Sequence, residues 1–389
     1  MLAKIQQRVL QPLPIYLILL LMSIIASVQR LKLGPKEIGG QMATHYNNFI
    51  IFKNSFFHLS NHQNLYLWYP AEQWDQFKYT PTFAAFYSIF TCFDNWIGLN
   101  LWNGLNITVL FLAIFALPLP KVDVKAKMLL FVLIELITSM QSQQTNALNV
   151  GLIVLGFANM EKKNYFWAVF FIVCTFYTKI YGISAAVIWF FYDNKIKNIF
   201  YGIFWLIVLG LVPLIFINFS QLQWQYQNYL QLIQEDHVIS YGLSVINILR
   251  KWFSWEVNKV AMIAFGLGMT LSPLIWVKRY DNPLFRYLFM GNFLIFLIIF
   301  NHKAESPTFI VAAVGVALWY FSQKESRINL ILVVLTFLFA WLAPTDIYPR
   351  FVREHFFEAY SIKVVPCLLV WCKALYDMHI GFEKLEMRS

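Results

Sequence analysis

Long apolar runs recur from one end of this 389-residue chain to the other, and short basic clusters punctuate them. That pattern leaves few folds open. Inside a bilayer every backbone amide must be satisfied within its own segment, so recurring apolar runs mean membrane-spanning helices. Charged residues make up 13% of the chain, against about 25% in a soluble domain. The expected fold class is therefore an all-α integral membrane protein, with 1–389 as a single polytopic domain. A net charge of +10 would suit nucleic acid. Here, however, the basic residues fall between the apolar runs, as the positive-inside rule requires, so no nucleic-acid partner is expected.

The first apolar run, Pro14 to Val28, follows Lys4 and Arg8 and lacks a small-residue cleavage site, so it reads as a retained span. The next crossing is Trp96 to Leu119. Basic residues then recur at Lys121, Lys125 and Lys127, at Lys162 and Lys163, at Lys195 and Lys197, at Lys278 and Arg279, at Lys324 and Arg327, and at Lys384 and Arg388. Each interval holds two spans. They are placed near 128–140, 146–160, 165–178, 181–193, 198–218, 258–277, 285–300, 308–321, 328–343 and 358–376, about 12 in all with both termini cytoplasmic. Region 29–95 becomes an extracytoplasmic loop with interfacial or re-entrant helices, and 96–376 the remaining bundle. The cytoplasmic loops are too short for a nucleotide-binding domain. No glycine-rich phosphate loop, internal repeat or Cys/His metal pattern appears, so neither cofactor nor metal is expected. Cys92, Cys174, Cys367 and Cys372 lie in or beside apolar segments and read as packing residues.

The polar residues collect on the opposite side from the basic clusters, most densely between Thr44 and Phe83. His45, His58, His62, Glu72, Asp75, Lys53 and Lys78 stand there among many aromatics. Within this stretch Asn48–Leu59 reads as an amphipathic interfacial helix with Phe49, Phe52 and Phe56 on one face. Pro81–Phe93 is apolar but too short to cross. Glu72 and Asp75 are three residues apart and Lys78 three further on. That spacing suits a base with a cation for a phosphate, or a solvated turn with an ion pair. His302, Lys303 and Glu305 form a second cluster, suited to anion capture at the mouth of a bundle. Gln141–Asn146 with Asn149 suits sugar hydroxyls, or an exposed hairpin tip. Lys179 in an apolar stretch needs a partner or an anion, or it snorkels. Glu135 is either a site residue or a partner to a lysine. Asp346, Arg350, Arg353, Glu354 and His355 read first as a solvated face, and Trp224–Tyr229 as an aromatic belt.

Several segments together resemble glycosyltransferase family 87. They are N-N-F-I-I-F-K-N-S-F-F-H-L, K-Y-T-P-T-F, L-W-N-G-L-N, Q-T-N-A-L-N-V-G-L, T-K-I-Y-G and F-N-H-K-A-E-S-P-T. The resemblance extends over nearly the whole chain, in a variant similar to those of Bacteroidetes-type bacteria. It implies a GT-C-like bundle related to the polyprenol-phosphate-mannose-dependent mannosyltransferases. It also implies inverting transfer of a hexose from a polyprenyl-phosphate donor to a glycolipid or glycan acceptor at the outer face of the bacterial plasma membrane, among membrane lipids. The family's base is an early loop aspartate. The corresponding region here reads Thr44-His45-Tyr46-Asn47-Asn48 and holds no carboxylate. The catalytic candidates are then His45, Asn48, Glu72 and Asp75. The resemblance places donor-phosphate contacts on Lys179 and His302, with Lys303 and Glu305 beside them. Lys78, Tyr79, Gln144 and Asn146 are the substrate-binding candidates.

Three other functions share parts of this pattern. A transporter or flippase for lipid-linked sugars should show repeated halves with polar groups at the bilayer midplane, whereas here they gather on one side. A glycan polymerase or ligase would concentrate them in a late outer loop. A non-catalytic partner in an envelope-glycan complex fits the missing aspartate, and donor binding without turnover would identify it.

Overall fold

A computed structural model describes residues 10–38, 40–235 and 240–388. Lys4 and Arg8, and positions 236–239, lie outside the described residues. Of the described residues 73% are helical, and the strands among them form one short hairpin, Lys36–Ile38 against Gln41–Ala43. Among the described residues four helices are long and apolar enough to cross a membrane: Pro12–Lys32 (α1), Asn95–Ala116, Lys195–Ile215 and Val364–Lys384. The other expected spans coincide with shorter helices, among them Asn146–Glu161, Tyr165–Thr178, Pro283–Ile299 and Phe309–Ser322. The stretch from Ile180 to Phe191 is wound as a 3-10 helix after an extended turn at Lys179.

The chain forms two compact units. The first comprises Met1–Ile15, Pro118–Thr138 and Ile239–Ser389, and the second Tyr16–Leu117 and Ser139–Val238. In the first unit, helices Pro283–Ile299 and Phe309–Ser322 pack tightly because small residues meet. A Cβ on Gly291 would lie 2.7 Å from the Gly315 carbonyl, and one on Gly315 equally close to that of Gly291. Van der Waals contact over such a seam joins helices in lipid, where no hydrophobic force does so.

The second unit is built around rings. Asn47–Ser60 (α2) buries Phe49 and Phe52 completely, against Phe83, Tyr87 and Trp102. Ring centroids lie 5.0 Å apart for Phe52–Phe83, 5.8 Å for Phe52–Trp102 and 4.8 Å for Tyr79–Phe83. The aromatic face expected to meet the interface is thus spent on the protein. Phe49 and Phe52 are enclosed by it, and Phe56 packs edge-on against Phe216 at 4.9 Å. Pro81–Phe86 (α3) and Ser88–Thr91 (α4) are too short to cross, as expected of this segment. Thr80 caps α3, its hydroxyl accepting from the Phe83 amide.

Candidate functional site

The loop following α2 is tied back to that helix by side chains. His58, buried near its C-terminus, meets Glu72 through Nε2 at 2.8 Å and stacks on Tyr69 with centroids 3.9 Å apart. Glu72 itself is exposed, so its carboxylate serves the buried ring. Asn47 Oδ1 accepts from the Trp74 amide at 3.0 Å. Gln225, wholly buried on Phe219–Glu235, accepts from the Leu65 amide at 3.2 Å and donates to the Gln63 carbonyl. Asp75 accepts from the Gln76 amide at 2.7 Å and pairs with Lys78 at 3.6 Å. Both partners of that pair are 44% exposed, so it contributes roughly 0–1 kcal/mol. The turn the spacing of Glu72, Asp75 and Lys78 allowed is what forms, and Glu72 stands apart from the pair. The Tyr79 ring packs into the aromatic core, and its carbonyl accepts from the Tyr66 hydroxyl at 3.0 Å.

Four candidates from distant parts of the sequence converge at the tip joining Leu133–Gln141 to Asn146–Glu161. Asn48 Nδ2 donates to the Ser142 carbonyl at 2.8 Å. Asn146 Nδ2 donates to Gln144 Oε1 at 2.6 Å, and Lys179 Nζ donates to Asn146 Oδ1 at 2.7 Å. The tip turns sharply at Gln143, whose φ of 51° is left-handed. That conformation costs a side-chain-bearing residue roughly 1–2 kcal/mol, and here the Trp102 indole holds it by donating to the Gln143 carbonyl at 2.9 Å. Strain held by a buried ring is frequent where groups must be aimed. Asn146 opens a 16-residue helix, so the ammonium of Lys179 lies at a helix N-terminus, where the backbone amides also favour an anion.

Beside this polar tip is an apolar cavity of about 340 Å³, lined by Phe83, Phe86, Leu148, Leu152, Cys174 and Thr178 among others. Thr178 belongs to both environments. It lines the cavity, and its hydroxyl donates to Asn149 Oδ1. Thr178 thus connects the apolar cavity to the polar tip, and the Lys179–Asn146 hydrogen bond begins at the next residue.

His45 follows the strand hairpin and is half-buried. Burial, with the Lys36 and Arg30 cations nearby, pushes its imidazole below the usual value. The neutral form is therefore favoured near pH 7, with a lone pair to accept a proton. Sequence reasoning nominated this ring but neither the burial nor the two cations that lower its pKa. It also listed His58 without its role as the partner of Glu72.

His302, Lys303 and Glu305 fall in the first unit, in the loop between Pro283–Ile299 and Phe309–Ser322. His302 is half-buried, and Lys303 and Glu305 are exposed. The Lys303 amide donates to Asn301 Oδ1 at 2.9 Å, and the Thr308 hydroxyl to the Glu305 carbonyl at 2.6 Å. Glu135 is wholly buried in the same unit, and its partner is Lys363 at 2.7 Å. Among the described residues no group of three or more His, Cys, Asp or Glu side chains is placed to hold a metal ion.

Comparison with curated proteins gives no match. Comparison with protein families matches the model of glycosyltransferase family 87 over residues 77–300, more than half of the chain. Lys78, Tyr79, Gln144, Asn146 and Lys179 lie inside the matched region, while His45, Asn48, Glu72, Asp75, His302, Lys303 and Glu305 lie outside it. With its apolar helices, this match establishes that the chain belongs to glycosyltransferase family 87 and is a membrane glycosyltransferase.

Proposed function

We propose that this enzyme transfers a hexose, with inversion, from a polyprenyl-phosphate donor to a glycolipid or glycan acceptor at the outer face of a bacterial plasma membrane. The observation that supports the reading is that Lys179, hydrogen-bonded to Asn146 at 2.7 Å, directly follows Thr178, which lines the apolar cavity. The donor phosphate sits against Lys179 at the helix N-terminus, and the isoprenyl chain occupies the cavity. Gln144 and Asn146 face the sugar hydroxyls. The bundle is GT-C-like, with about 12 spans as the basic clusters require.

His45 is the general base in this reading. Burial and the Lys36 and Arg30 cations lower its pKa, whereas Glu72 is engaged by His58 and Asp75 by Lys78. The acceptor hydroxyl oxygen attacks the anomeric carbon from the face opposite the phosphate, and the bond from that carbon to the phosphate oxygen breaks. The hydroxyl proton goes to His45, and the electron pair of the broken bond leaves on the polyprenyl phosphate. Lys179 stabilises the charge that builds up there. His302 and Lys303 belong to the other unit; His302 is carried as the phosphate contact that the family resemblance implies, with Lys303 beside it. Asn48 has no basic lone pair, and its bond to Ser142 gives it the task of holding the hairpin tip.

The test is transfer of radiolabelled sugar from a panel of polyprenyl-phosphate sugars to endogenous glycolipid, in membranes with and without the protein. His45→Ala is expected to abolish transfer while leaving donor binding intact. Lys179→Met is expected to weaken donor binding. Glu72→Gln and Asp75→Asn are expected to retain most activity, and loss confined to one of them would transfer the role of base to that carboxylate. Donor binding without turnover in the wild type would establish a non-catalytic partner instead.

A further inference from the structure

The loop carrying His302, Lys303 and Glu305 is held at two points by groups that the transfer reaction does not use. One is Ser306, whose hydroxyl accepts from Lys363 Nζ at 2.8 Å. The same ammonium donates to Glu135 Oε1 at 2.7 Å and lies 4.8 Å from the centroid of the Phe309 ring. Lys363 is 4% exposed and Glu135 not at all, and the second carboxylate oxygen is buried without a hydrogen-bond partner. A buried ion pair is a weak source of stability, because desolvation offsets most of the attraction. Its value lies in fixing geometry. The third arm of this one, a hydroxyl directly after Glu305, reaches the nominated loop.

The second point is Ala304, whose carbonyl accepts from the Leu243 amide at 2.8 Å. The preceding residue, Gly242, has φ of +46°, and a Cβ there would lie 2.6 Å from the Ala304 carbonyl and 2.7 Å from that of His302. Only glycine permits this approach. The Gly242 carbonyl in turn accepts from Asn247 Nδ2 at 2.8 Å, and the same amide reaches Ser361 Oγ at 3.1 Å, two residues before Lys363. The two anchor points are therefore joined to each other.

We propose that Lys363, Glu135, Ser306 and Gly242 form a clamp that positions the His302–Lys303–Glu305 loop for the donor phosphate. These are positioning residues. They act through the loop, and the kinetic part of the proposal rests on the reading of that loop as a donor contact. Lys363 itself is committed to Glu135 and Ser306 and is not a phosphate ligand.

The experiment uses the full-length protein in nanodiscs and compares Ser306→Ala, Ser306→Thr and Gly242→Ala with the wild type. Amide hydrogen exchange across 301–308 is read together with donor and acceptor KM. Ser306→Ala removes the hydroxyl and leaves the ion pair. It is expected to raise exchange across the loop and to raise donor KM on the order of tenfold, with acceptor KM unchanged. Ser306→Thr restores both. Gly242→Ala is expected to act in the same direction as Ser306→Ala. Unchanged exchange in Ser306→Ala and Gly242→Ala overturns the clamp, whether or not the protein transfers sugar. Raised exchange with unchanged donor KM in an active enzyme overturns its positioning role. A wild type without transfer from any polyprenyl-phosphate sugar overturns the proposed function, while the exchange data still decide the clamp.

Discussion

His45 illustrates how one residue's surroundings assign its chemistry. An imidazole with an ordinary pKa of about 6.5 is partly protonated near neutrality. Burial and the Arg30 and Lys36 cations lower that value here. If His45 is the base, as proposed, its working form is the neutral one, so activity is expected to hold through neutral pH and to fall only as the pH drops below the usual imidazole range. A pH profile of kcat/KM checks this. An acid limb near the carboxylate range would point to Glu72 or Asp75 instead, and Lys36→Gln is expected to move the limb toward higher pH. The ring was legible in the sequence, because no carboxylate stands beside it at Thr44–Asn48. Its protonation state was not, because Arg30 is fifteen positions away at the end of α1 and only folding brings the two together.

At the scale of elements, α2 and the hairpin tip do most to place the candidate groups. Phe52 is 1% exposed and touches the rings of Tyr79, Phe83, Tyr87 and Trp102. Trp102 in turn holds the strained Gln143. Phe52→Ala is expected to cost about 3–5 kcal/mol and to lower the thermal midpoint of the purified protein, and a shift within error would show that the aromatic cluster is not the core of this unit. The helical period of Phe49, Phe52 and Phe56 was plain in the sequence. Periodicity marks an apolar face without distinguishing lipid from protein as the surface that covers it, which is why the face read as interfacial and is buried. Gln144, Asn146 and Lys179 were each singled out for their polarity in apolar surroundings. Their hydrogen-bonded chain was not visible, because it joins residues more than thirty positions apart. His58 and Glu72 were likewise seen separately, since their pairing depends on how the loop between them closes.

For the whole molecule, the apolar runs fixed the helical class, and most of each expected span is helical, with breaks at, among others, Val132 and 359–363. Length and composition qualify four of them, among the described residues, as crossings, and the expected sidedness of the loops is read from their charge. Reporter fusions after Lys127, Lys163, Lys197, Arg279 and Arg327 are expected to report a cytoplasmic position. Fusions within 141–145 and 301–307 are expected to report the outer side. An outer position for the 121–127 loop would reverse the proposed topology and put the Lys179 site on the wrong face for a polyprenyl-phosphate donor.

The pairing of Glu135 with Lys363 also has a schedule. The two residues are 228 positions apart, and at about 5–20 residues per second the ribosome needs on the order of ten seconds or more to travel between them. In the proposed topology Glu135 has by then entered the bilayer, and its lysine does not yet exist. The nascent chain must therefore keep this carboxyl protonated, or shield it with the insertion machinery, until the last segment arrives. A chain stopped at Tyr360 never completes the pair and is expected to be degraded rapidly. Glu135→Gln in that truncated chain is expected to lengthen its half-life in a pulse–chase measurement, and in the full-length chain to shorten it by stranding Lys363. If the truncated chain decays at the same rate with either residue, the delayed counter-ion places no demand on biogenesis.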